Sequence, residues 1–318
     1  SYQQITVGDG SRLELGGGST LVAAAGITVS GSSSIRVAGD KVNAQVNGAW
    51  EGVGGTIQAA TLTVGAGSAI SADGQGDSRA SGAFAGPGAS AQGYVGAGHG
   101  GRGGSDSSGN YGPSYDDFQQ PTQPGSSAGG VNGGNYANAA GGGAIRIIVS
   151  DTFTLNGTVS ANATTLYGQA YGAAGGSIWV TTAHLAGAGA FHADAVDAGS
   201  MSTGNGGGRL AVYYSDASGF TGFDSSTAKG GKAAKDYYGN TQQDGENGTV
   251  AFVDTSVSGY GVYVPQRLVL PEDSTTVYGS LRAAAVELEA RGVSVGHMHL
   301  RHLHPMSKNV GPTMAAYK

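Results

Sequence analysis

Gly142-Gly143-Ala144-Ile145-Arg146-Ile147, Gly175-Gly176-Ser177-Ile178-Trp179-Val180 and Gly207-Gly208-Arg209-Leu210-Ala211-Val212 are three copies of one phrase, a glycine pair opening an alternating strand. An earlier copy begins at Gly54-Gly55-Thr56-Ile57 and a weaker one at Asn247-Gly248-Thr249-Val250, so that successive starts lie 88, 33, 32 and 40 residues apart. A second landmark follows each strand in fixed order, Ala72-Asp73, Ala161-Asn162 and Ala193-Asp194. Two landmarks in constant order mark one repeating unit, interrupted once. Period-2 strands recurring at fixed length cannot bury an inner face singly, but they can when each turn of chain stacks on the last. The pattern predicts an all-β fold, a parallel β-helix (solenoid) over residues 1–266.

The interruption is the lateral insertion over 74–141. Later units place 12 residues between the Asn162 or Asp194 position and the next glycine pair, whereas 68 lie between Asp73 and Gly142. A loop of that length is functional or disordered, and its aromatic-acidic content favours a folded, functional lobe. Residues 1–50 read as first coils of shorter spacing, with Trp50 as a packing anchor. From about Arg267 the texture changes: Leu281, Ala284, Ala285 and Leu288 have helical spacing and Gly292 is a stop signal, followed by a strand carrying His297, His299, His302 and His304. This short α/β tail, 267–318, is read as a cap or a foreign piece.

Composition removes several classes. Of 318 residues 61 are Gly and only 12% are charged, with net charge −6, unlike a basic nucleic-acid binder, so no nucleic-acid partner is expected. Gly shows no collagen period, and it alternates with Ile, Val, Leu and Phe at strand spacing, which argues against low-complexity disorder. No cysteine is present, so disulfides and thiolate metal sites play no part. No apolar run approaches the roughly 20 residues that span a bilayer. Richness in Ser, Thr, Asn, Gly and Tyr with little Lys, and Ser1 in place of a starting Met, suggest a processed protein that is extracellular or at the cell surface.

The glycine-pair units, the Ala-Asp/Asn landmark and the glycine-rich insertion resemble the repeat regions of secreted or surface bacterial proteins over residues 1–265. That resemblance implies a right-handed parallel β-helix of the pectate-lyase-like kind, and contact with polysaccharide, without a catalytic motif to carry over. Residues from about 268 to 318, through Arg291-Gly292-Val293-Ser294-Val295-Gly296-His297-Met298-His299, resemble a C-terminal fragment of 2-oxoacid:acceptor oxidoreductase alpha subunits. The thiamine chemistry of that family needs much larger domains, so its activity does not transfer.

Alternation sets the candidate ligand site. With Ile57, Ile145, Ile178, Leu210 and Val250 inward, Gln58, Arg146, Trp179 and Ala211 point outward, together with Ala60, Ile148, Thr181 and Tyr213. Arg146, Trp179 and Tyr213 would then share one outer patch, a platform for stacking a sugar ring while Arg146 bonds hydroxyls or a carboxylate. The same patch becomes a lateral core if the insertion covers it, the usual fate of large apolar residues on an outer face.

Carboxylates supply the candidate catalytic groups. Asp73 and Asp194, with Asn162, occupy equivalent turn positions; they suit an acid–base pair or Ca2+ bound through oxygens, although a ladder of turn residues is the commoner use. In the insertion, expected to form one wall of the groove, Tyr111, Tyr115 and Arg102 are further candidate ligand contacts; Asp116 and Asp117 lie beside the two tyrosines, with His99 and Asp106 nearby, and adjacent carboxylates can split their pKa values for general acid work, though a solvated turn is more usual. Gly96–Gly104 lacks the Lys-Ser/Thr and strand-to-helix setting of a phosphate loop. His297 and His299 share one strand face and His302 and His304 the other parity, so the four do not make one metal site; two could bind Zn2+ or Ni2+ weakly, with incidental use the commoner. Apart from Ca2+ no cofactor is expected. The leading expectation is a polysaccharide-binding protein; a glycoside hydrolase or polysaccharide lyase on the same scaffold, and a structural adhesin or filament subunit, are the alternatives.

Overall fold

In the computed structural model, described for residues 2–39, 53–77, 86–90, 95–128, 139–165, 172–199, 202–235, 239, 242–256 and 264–269, the first five units each contribute one long and one short strand, and the last two contribute a long strand without a partner in the second sheet. The long strands β1 (Tyr2–Val7), β3 (Thr20–Val29), β5 (Gly55–Val64), β8 (Ala144–Leu155), β11 (Ser177–Gly187), β13 (Arg209–Tyr214) and β15 (Thr249–Asp254) pair in parallel in chain order. β14 (Asp216–Phe220) pairs with the far end of β11, and β16 (Val264–Val269) closes the run antiparallel to β15, making nine strands. The short strands β2 (Arg12–Leu15), β4 (Ser34–Val37), β6 (Ala69–Ser71), β9 (Thr158–Ser160) and β12 (Ala190–His192) form a second, five-stranded parallel sheet. A two-stranded antiparallel pair, β7 (Ala139–Ala140) with β10 (Thr164–Thr165), lies apart.

The closed right-handed parallel β-helix expected from the repeat does not form: the strands gather into two separate parallel sheets, neither closed on itself. No helix occurs among the described residues. The physical reason is the glycine. Gly55 opens β5, and the pairs 142–143, 175–176 and 207–208 lie immediately before β8, β11 and β13, in glycine-rich chain that makes isolated N–H···O bonds rather than strand ladders. Gly143, Gly176, Gly208 and Gly248 donate to the carbonyls of Ala72, Ala161, Ala193 and Ala228 at 2.8, 2.7, 2.8 and 2.7 Å. The two sequence landmarks are thus bonded to each other in three successive units, and Gly248 with Ala228 repeats the bond in a fourth, where Asn247 replaces the first glycine and Lys229 the Asp or Asn.

A Cβ on Gly142 would stand 1.8 Å from Ala161 O, and one on Gly248 the same distance from Gly208 O. Backbones approach this closely only where Cβ is absent, the constraint that places Gly at the axis of collagen. The insertion joins this packing instead of standing off. Gly206 donates to Ala97, Gly104 to Gly204 and Gly100 to Gly207, while Gly76 and Asp77 donate to Gly141 and Gly125.

Inside, alternation works as period 2 requires. Ile57, Ile147, Val180, Val212 and Phe252 are in register and fully buried, and so are Ile35, Ile70, Val159 and Phe191 of the short strands. The Phe191 ring lies 6.1 Å from Phe153 and 6.0 Å from Phe252 of the large sheet, one edge-on and the other near it, so the two sheets share one core. Register also corrects one detail: Ile57 pairs with Ile147, two residues beyond the alignment of glycine pairs, so Thr56 and not Gln58 neighbours Arg146. Trp50, the 281–292 helix and the four histidines from His297 to His304 lie outside the described residues; of the 267–318 tail only residues 267–269 are described, as strand and not helix.

Gly142→Ala is expected to cost more than about 4 kcal/mol, because its methyl meets rigid backbone on both flanks. Gly16→Ala, whose added Cβ meets only Ser19 Oγ at 3.5 Å without a positive φ, should be neutral or stabilising by up to about 1 kcal/mol. Urea unfolding of the pair reads both.

Candidate functional site

The outer side of β8, β11 and β13 carries the aromatic–cationic platform. Parallel register sets Trp179 beside Arg146 on one side and Ala211 on the other, and Thr181 beside Ile148 and Tyr213. The Arg146 guanidinium carbon lies 3.6 Å from the Trp179 ring centroid, a close cation–π contact. Its Nη1 donates to the carbonyls of Ile147 (3.0 Å) and Trp179 (3.1 Å), and its Nη2 to Thr181 Oγ1 (2.9 Å). Burial pushes the guanidinium down to about 10, with Tyr213 acting in the opposite sense. Arg146 therefore stays cationic at neutral pH, and no carboxylate among the described residues pairs with it.

The platform is neither open nor sealed. Arg146, Ile148, Trp179 and Tyr213 are half-buried, and Thr181 is exposed. The insertion runs along its edge: Tyr213 Oη donates to Gln119 O (2.7 Å), and Ser177 Oγ donates to Gln123 O (2.6 Å). Trp179 Nε1 is buried without a hydrogen-bond partner, an uncommon state for a buried donor.

Behind that edge lies a buried polar cluster. His99 is wholly enclosed, and its Nδ1 sits 2.6 Å from Gly175 O, so that nitrogen carries a hydrogen. Its Nε2 faces Asp116 Oδ2 at 3.5 Å, and its ring lies 4.6 Å from that of Tyr115. The Asp116 carboxylate, only 5% exposed, also accepts from the backbone N–H groups of Asp117, Thr122 and Gln123 and from Ser177 Oγ. Burial alone would raise the Asp116 carboxyl, but hydrogen bonds from His99, Gln123 and Asp117 hold it below its ordinary value. Arg209 Nε donates to Tyr115 O at 2.8 Å; burial lowers this guanidinium, and Asp116, Tyr115 and Asp117 oppose that. The Tyr115 hydroxyl is pushed well up by burial and by Asp77, and it bonds Pro124 O and Ser126.

The other carboxylates stand elsewhere. Asp73 Oδ1 accepts from Asn162 N (2.6 Å), Asn162 Oδ1 from Asp194 N (2.8 Å), and Asp194 Oδ1 from Lys229 N (2.6 Å). Ser160 and Thr227 hydroxyls donate to the remaining oxygens of Asp73 and Asp194, each at 2.9 Å. These residues make a backbone-capping ladder from unit to unit, the turn use of Asp and Asn. Asp117 is exposed, with one oxygen on Gln119 N. Arg102 forms its own cluster with Glu246, Nη2 to Oε1 at 2.7 Å, with its guanidinium 5.0 Å from the exposed Tyr111 ring. Among the described residues no three His, Cys, Asp or Glu gather for a metal, and no helix is long and apolar enough to cross a membrane.

Sequence reasoning overlooked Ser177 and Arg209. Both directly follow a glycine pair and pair with each other in register. The parity that sent Trp179 outward sends them outward too, so a polar side chain at that position was a readable signal.

Asp73→Asn should hold the ladder within about 1 kcal/mol, since an amide oxygen still accepts from Asn162 N, whereas Asp73→Ala strands that N–H and should cost about 1–3 kcal/mol in urea unfolding.

No protein-family model, curated protein or solved structure matches this chain, so its function rests on the chemistry of the site itself.

Proposed function

We propose that the chain is a polysaccharide-binding protein, extracellular or at the cell surface, that holds its ligand on the outer face of the large sheet, over Arg146, Trp179, Thr181 and Tyr213. The observation that carries this reading is the Arg146–Trp179 stack at 3.6 Å, a half-buried cation on a half-buried indole with no described carboxylate to offset it. A sugar presents an apolar ring face and a rim of hydroxyls, which suits an aromatic surface beside fixed donors. The insertion segment at Gln119–Gln123 supplies one wall of a shallow groove and the sheet supplies its floor. The low charge and hydroxyl-rich composition fit work outside the cell.

Binding is favoured over hydrolysis by what the carboxylates do. Asp73, Asp116 and Asp194 spend both oxygens on protein donors, whereas acid–base cleavage of a glycosidic bond needs two carboxylates facing one groove. Tyr111 and Arg102 belong to a different cluster and are left off this floor.

A glycan array followed by titration of the hits tests the proposal, with product analysis for released fragments. Trp179→Ala is expected to weaken binding at least roughly thirtyfold and Arg146→Ala about tenfold, as for desolvated anchors in general. Failure of the wild-type protein to bind any glycan overturns the proposal; release of fragments replaces it with an enzyme.

A further inference from the structure

Asp116 has a backbone that a non-glycine residue rarely adopts, φ +69, and a carboxylate with five neighbours within hydrogen-bond distance. A left-handed aspartate costs about 1–3 kcal/mol and persists only where its surroundings over-determine it. Here they do: three backbone N–H groups, one hydroxyl and the His99 imidazole converge on it. Its loop is also tied to the large sheet at three points, Arg209 to Tyr115 O, Ser177 to Gln123 O and Tyr213 to Gln119 O. The last of these bonds joins the loop to the platform.

We infer that Asp116 is the positioning residue of the groove: its carboxylate closes segment 116–123 on itself and seats it against β11 and β13, fixing where Gln119 meets Tyr213. The charged and titratable groups around it are His99, Tyr115 and Asp117 from the insertion, Arg209 from β13, and Asp77, which acts on Tyr115. The seat is permanent at neutral pH. A carboxyl held below its unfolded value contributes stability above that value and loses it only as the pH falls through the depressed one. Segment 116–123 is therefore a fixed wall and not an acid-triggered lid, and groove geometry is prepaid before ligand arrives.

This inference rests on the proposed binding role only for its consequence, and amide hydrogen exchange on the unliganded chain tests the seat by itself. In Asp116→Ala, exchange at Thr122 and Gln123 should rise at least roughly tenfold while β8 and β11 keep wild-type protection. Asp116→Asn, which retains an acceptor, should recover part of that protection. Tyr213→Phe, which removes one hydroxyl from an outer face, should speed exchange around Gln119 without altering the sheet. Unchanged protection at 117–123, or parallel loss across the whole sheet, overturns the inference. Where the wild type binds a glycan, Asp116→Ala should raise its dissociation rate; unchanged binding with a loosened segment refutes the wall role alone, and a wild type that binds nothing refutes the binding role while the exchange result stands.

Discussion

Everything in this molecule depends on backbone approaching backbone at distances only glycine permits. The N–H of Gly143, Gly176 and Gly208, each the second glycine of its pair, reaches across to the alanine carbonyl that precedes the Asp or Asn position, and Gly248 bonds Ala228 in the same way in the next unit. Each such bond sets how far the long strand of one unit stands from the short strand of the unit before it. That separation in turn decides which side chains fill the interior. Ile and Val suffice along most columns, and Phe153, Phe191 and Phe252 meet in one aromatic cluster. A bulkier residue at the glycines would push the sheets apart and open that cluster, so the core is as dependent on what glycine omits as on what the apolar residues supply.

Glycine carries an entropic cost on folding that no side chain offsets. The chain meets it with hydrogen bonds in two kinds of ladder. Glycine-rich segments bond to one another and recruit the insertion into the same packing, which is why some fifty extra residues need not form a core of their own. Asp73, Asn162 and Asp194 cap the backbone of the following unit one after another, so polar turns are satisfied in step with the repeat. With no cysteine available, this saturation takes the place of covalent cross-links.

The repeat unit, the inward columns and the outward grouping of Arg146, Trp179 and Tyr213 were legible because period 2 and in-register stacking act on neighbours a fixed number of residues apart. What was not legible was the packing role of the glycine pairs. A glycine pair before a strand reads locally as a flexible opener, and only the carbonyls of Ala72, Ala161, Ala193 and Ala228, far away in sequence, turn it into a packing element; hence two separate sheets where a closed coil was expected. The insertion posed the same difficulty. Its aromatic-acidic run signalled importance, yet the partners that define Asp116 are Ser177, His99 and Gln123, and no spacing rule links position 116 to position 177.

Arg146 and Trp179 are the residues on which the proposed binding surface differs from a merely well-packed one. A guanidinium that only braced the sheet would regain its desolvation cost from a carboxylate, as Arg102 does from Glu246 at 2.7 Å. Arg146 instead spends three N–H groups on neutral acceptors and retains its charge. Beside it the indole N–H is buried and unbonded, although the fold satisfies its other polar groups with few exceptions. Either feature alone is tolerable strain in an interior of this size. Together on one outer face, beside the segment that Asp116 closes, they are what the proposed binding role draws on: a cation with no described carboxylate partner, stacked on a half-buried indole.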